Sequence, residues 1–98
     1  MNNPIFESYE ISSLQQDIME RQDMIDRFNQ TGQLDRNDAI SKIKKLRMTD
    51  KEILQVTAVN LAASSTPFEQ CSNEQLINEL HMQKTILEGK LTEKLKGI

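Results

Sequence analysis

Ser41–Gln55, SKIKKLRMTDKEILQ, is the stretch on which the reading of the fold turns. Ile43 and Leu46 stand three residues apart among lysines and an arginine, and apolar residues resume at Ile53 and Leu54. Between them Thr49 precedes Glu52 by three residues, the pattern of a capping box, in which hydroxyl and carboxylate satisfy the open backbone N–H groups of a helix start. The stretch therefore predicts a helix with a basic end, a tight break at Met48–Thr49 and a new helix. Such a break is either a corner in a helical bundle or the turn of a DNA-reading helix-turn-helix.

The same period continues on both sides. Towards the N-terminus, Asp35 is an N-cap for the helix that carries Ile40, Ile43 and Leu46. Ahead of it Gly32, free to take positive φ, ends a longer helix. That helix holds Ile11, Leu14, Ile18, Ile25 and Phe28, widened by Met24, at the spacings of a single apolar face. Ser12 with Gln15 forms a second capping box, with Ser8 as a start one turn earlier. Arg21 and Arg27 follow Asp17 and Asp23 by four residues, as surface pairs of about 0.2–0.5 kcal/mol do.

Towards the C-terminus, Val56, Val59 and Leu61 extend the new helix until AASSTP, residues 62–67, reads as a loop. A third box, Ser72 with Gln75, opens a helix bearing Leu76, Ile77, Leu80, Ile86, Leu87, Leu91 and Leu95. Gln83 and Gly89 interrupt its stripe. ILQVTAV is the one β-flavoured run, and it lies inside a capped helical pattern. The prediction is all-α, with helices over 8–30, 35–47, 49–64 and 72–96: two long antiparallel helices bracketing two short ones.

Ninety-eight residues suit one domain. Ile, Leu, Val and Phe supply 25 of them, above the roughly 20% below which chains tend to stay disordered. With no Trp, one Tyr and three Phe the core is aliphatic and thin, of the kind that oligomerisation would complete. The net charge of −3 divides unevenly. Residues 1–34 carry six acids and two bases, 35–51 three acids and six bases, and 52–98 six acids and four bases. Cys71 is the single cysteine, which excludes an internal disulfide and a cysteine-built zinc site. Its apolar runs are far shorter than the roughly 20 residues of a membrane span. With no signal-like N-terminus, the expectation is a cytoplasmic protein.

Little in the chain promises catalysis. His81 is the only histidine, and nothing pairs it with Cys71 and an orienting third group. Asp17, Glu20, Asp23 and Asp26 recur every three residues but lack the Glu-x-x-His of carboxylate metal helices, so they read as a solvated acidic face. DRNDAISKIKKL, residues 35–46, has Ala39 and Ile40 where a calcium loop needs an oxygen ligand and glycine. Glycines 32, 89 and 97 stand alone, which excludes a Gly-rich phosphate loop. Neither enzyme activity, metal nor cofactor is expected.

The remaining chemistry is the basic segment, with Arg36, Lys42, Lys44, Lys45, Arg47 and Lys51 as candidate partner- or anion-binding residues. As a helix-turn-helix its break is too tight, and Asp50 and Glu52 occupy the tip that should meet bases. A DNA-binding regulator of this kind would lose affinity steeply with salt, and altogether on Lys44→Glu with Lys45→Glu. An oligomer that sequesters a nucleotide or other anion is a further alternative. The favoured expectation is a non-enzymatic protein–protein interaction protein, docking through the acidic first helix and the basic segment. In size and composition it has the style of small regulators, secretion-type chaperones and phage or bacterial accessory inhibitors. Phe6, Tyr9 and Phe68 fall outside the stripes and are candidate aromatic anchors.

Overall fold

Each predicted helix forms, and their boundaries show which side chains set them. A computed structural model describes residues 4–60 and 68–97, with side chains from Tyr9 to Gln55 and from Phe68 to Gly97. The elements are α1 (Pro4–Thr31), α2 (Arg36–Thr49), α3 (Lys51–Asn60) and α4 (Asn73–Lys96), with one 3-10 turn at Phe68–Gln70 before α4. No strand occurs among the described residues. Ser8 lies inside α1 and not at its start, and Val56 and Val59 fall within α3 as expected; the readings placed on Leu61, on the loop ahead of Pro67 and on the Phe6 side chain lie outside the described residues.

Two caps form as expected. Asp35 accepts from the Asp38 N–H at the start of α2. Ser72 and Gln75 close a reciprocal box at α4, the serine oxygen accepting from the Gln75 N–H and the Gln75 side chain from the Ser72 N–H. Gly32 adopts φ 72° and donates to the Phe28 carbonyl, ending α1.

Two other caps are corrected. Ser12 and Gln15 lie exposed inside α1, which begins at Pro4; proline is suited to the first helical turn because the N–H it lacks has no partner there. Thr49 is the last residue of α2, and its hydroxyl donates back to the Lys45 carbonyl at 3.0 Å. The break falls one residue later, at Asp50. Its backbone is extended (φ −132°, ψ 105°), and its carboxylate accepts from the Glu52 and Ile53 N–H groups that open α3. Aspartate outcompetes threonine here because its charged oxygen also faces the positive end of the helix dipole.

α1 and α4 run antiparallel: Ile25 packs with Leu76 and Leu80 at one end, while Lys94 pairs with Glu10 at the other. α2 turns back over their seam, and α3 packs on α2 and α4. One core cluster joins Ile25, Ala39, Ile40, Ile43, Cys71, Leu76, Ile77 and Leu80, with Phe28 and Phe68 at its edge. A second joins Leu46, Ile53 and Leu87, flanked by Leu14, Ile18 and Ile86. α1 is about 42 Å long at about 1.5 Å per residue and α2 about 21 Å. The molecule's long dimension of 46 Å is thus essentially that of α1, and α2 covers only part of it.

Candidate functional site

Most of the basic segment is engaged within the protein. Arg36 donates through Nη1 to Asn73 Oδ1 and through Nη2 to the Glu69 and Cys71 carbonyls, clasping the start of α2 to the approach to α4. Lys42 bridges Asp38 at 2.9 Å and Glu20 at 3.7 Å, and hydrogen bonding to Asp38 holds its ammonium pKa above the ordinary lysine value. Lys44 pairs with Glu69 at 2.8 Å. Arg47 turns inward, pairs with the buried Glu79 and lies over the Phe68 ring at 4.8 Å. Lys45 and Lys51 are exposed and make no ion pair among the described residues. The six cations therefore do not converge on one open surface. Tyr9 is 74% exposed, whereas Phe68 is partly buried against the core.

Arg21 does not form the expected pair with the Asp17 side chain. Only 2% exposed, it donates to Gln83 Oε1 at 3.0 Å, the Asp17 carbonyl at 2.9 Å and the Lys42 carbonyl at 3.1 Å. Gln83 Nε2 in turn donates to the Ile43 carbonyl. Burial lowers the Arg21 pKa, against the opposing pull of Asp17 and Glu20. The bury-or-pair choice was settled by α2 and α4: with Gln83 and the Lys42 carbonyl facing inward, an arginine on α1 finds three acceptors that outweigh one half-buried carboxylate. Burial likewise pushes the Glu79 carboxyl up despite Arg47 beside it. Glu79 Oε2 and Arg47 Nε are buried without hydrogen-bond partners among the described residues. Glu79 and Gln83 lie four apart on the stripe of Leu76, Leu80 and Leu87, and that spacing was the available signal for their burial.

A wide opening lies beyond the end of α2. It is a groove of about 930 Å³ between the N-terminal part of α1 and the C-terminal part of α4, closed at one end by the Asp50 corner. Leu14, Ile86, Ser13 and Gly89 line it beside Tyr9. Its rim carries Glu10, Asp50, Glu52 and Glu93 against Lys90 and Lys94. Lys90 bridges Asp50 at 2.8 Å and Glu52 at 3.1 Å, and Lys94 pairs with Glu10. Burial pushes the Asp50 carboxyl up, but Lys90 and the Ile53 and Glu52 amides outweigh it and the net pKa is lowered. A Cβ built on Gly89 meets nothing within 4 Å, so no neighbour among the described residues accounts for a glycine there.

Two smaller clefts of about 270 and 260 Å³ lie along α1 and α2 around Glu20 and Lys42. Neither His81 nor Cys71 lines any of these three openings. Among the described residues no cluster of His, Cys, Asp or Glu has the arrangement to hold a metal ion, and no helix is long and apolar enough to cross a membrane. Compared with known protein families, curated proteins and solved structures, the chain matches none of them.

Proposed function

We propose that this chain is a small non-enzymatic protein–protein interaction protein that docks its partner in the groove between α1 and α4. The observation that carries the reading is the groove itself, where an apolar and small-residue floor lies between charged walls beside an exposed tyrosine. Interfaces of this make-up gain energy from an aromatic anchor and a desolvated centre, and specificity from a charged rim. The same observation moves the docking surface away from residues 36–51, whose arginines support the fold. It also weighs against the DNA-binding and anion-sequestering alternatives, because Lys45 and Lys51 alone make a sparse electrostatic footprint.

A photo-crosslinking phenylalanine in place of Tyr9 tests the reading in cells of the protein's own source. A discrete protein adduct is expected from this position and none from the same probe in place of Asn37, which is exposed at the opposite end. Equal labelling at both positions, or no protein adduct at Tyr9, defeats it.

A further inference from the structure

The groove is the continuation of a lane that α2 leaves unfinished. α2 lies over the α1–α4 seam and presents Ala39, Ile40, Ile43 and Leu46 to it, at helical spacings of one, three and three. At Asp50 the chain turns aside into α3, while α1 and α4 run on together. Among the described residues no third helix covers the groove where it runs along Ile86–Lys94 of α4, a length of about 14 Å at about 1.5 Å per residue. That length is about three helical turns.

The covered half shows what the pair accepts in that position. α2 is an amphipathic helix with five cations, Arg36, Lys42, Lys44, Lys45 and Arg47, and one acid, Asp38. Two of those cations meet carboxylates of the pair directly, Lys42 at Glu20 of α1 and Arg47 at Glu79 of α4. The open half repeats the chemistry: four rim carboxylates face two lysines, and Ser13 and Gly89 leave room for a close backbone. Two copies meeting groove to groove would bring like-charged rims together, which is unfavourable.

From the lane and its charge we infer that the groove binds a basic amphipathic helix of a partner protein, about three turns long, in the place that α2 would occupy had it continued. The inference rests on the reading of the groove as the docking surface and adds the chemistry of what fills it. Small and aliphatic residues at spacings of three and four face Leu14 and Ile86, with lysine or arginine on the flanks facing Glu10 and Glu93.

The experiment titrates the full chain with a fluorescent peptide of residues 36–49, RNDAISKIKKLRMT, used as a mimic of such a helix, and with a counterpart in which its lysines and arginines are glutamates. The basic peptide is expected to bind at least about tenfold more tightly, with the advantage shrinking in salt as screened rim charges require. Gly89→Leu should abolish binding while leaving the melting temperature unchanged or raised, since leucine is the better helix former. Equal affinity for the two peptides, no binding of the basic one, or binding undiminished in Gly89→Leu would overturn the inference. So would a dimer seen by light scattering in the wild type and lost in Gly89→Leu, which would make a second copy the occupant. An acidic or non-helical protein crosslinked at Tyr9 sinks this inference and spares the broader reading; absence of any adduct there sinks both.

Discussion

Gly32 and Gly89 are chemically identical and should respond in opposite directions to the same change. Gly32 holds φ 72°, where a Cβ meets its own backbone, so Gly32→Ala should destabilise by about 1–2 kcal/mol. Gly89 sits inside a helix with open space around it, and Gly89→Ala should stabilise by about 0.5–1 kcal/mol. Urea midpoints of the two variants shifting in the same direction would refute this. Arg47 and Glu79 make a second contrast. Glu79→Leu alone takes the hydrogen-bond acceptor from a largely buried guanidinium and should cost about 1–3 kcal/mol, whereas Arg47→Met combined with Glu79→Leu should be neutral or stabilising. A double-mutant cycle checks it: a double variant as unstable as the single one would show that packing, not charge, is at stake. Gln83 reads in the sequence as an interruption of the stripe, and Glu79 stands at the same spacing without drawing notice, because spacing gives the face of a helix and not what covers it.

At the level of elements, the corner at Asp50 governs the route of the chain. One residue ends α2 with its extended backbone, and its carboxylate caps α3 and holds Lys90 of α4. Asp50→Ala should cost about 0.5–2 kcal/mol from the lost cap alone. Its pKa is depressed, so its contribution is complete above the ordinary aspartate value of about 3.9 and is lost as pH falls through the lower folded value. Glu79 acts in the reverse sense: with its pKa raised, the carboxylate burdens the fold at neutral pH, and the burden fades as pH falls towards the ordinary glutamate value of about 4.3. Thermal melts between pH 7 and 2 should therefore show Asp50→Asn losing less stability than the wild type in the most acidic range. Parallel curves would contradict the role given to Asp50. The helix starts at Asp35 and Ser72 could be read because a cap is a local event. The Thr49 box misled because Asp50 lies one residue away with a stronger acceptor.

Across the molecule the long axis runs from a three-helix end to a two-helix end. Hydrogen exchange should follow it, slowest at Ile25, Ile43 and Leu80, where three helices meet, and faster at Glu10–Ser13 and Thr92–Lys96. Uniform protection along α1 would contradict this gradient. The sequence by itself determined that the chain is all-α, that its two long helices are separated by two short ones, and which residues close three of the helix ends, since periodicity and capping act within a few residues. The tertiary structure alone decided the destiny of the charges. Whether a lysine or arginine faces solvent or another helix depends on contacts 21 to 84 residues distant, such as Arg21 to Lys42, Arg47 to Glu79 and Lys94 to Glu10. The groove belongs to the same class of fact: it exists because α2 stops short of the helices it lies on, a mismatch of lengths that appears only when the elements are laid side by side.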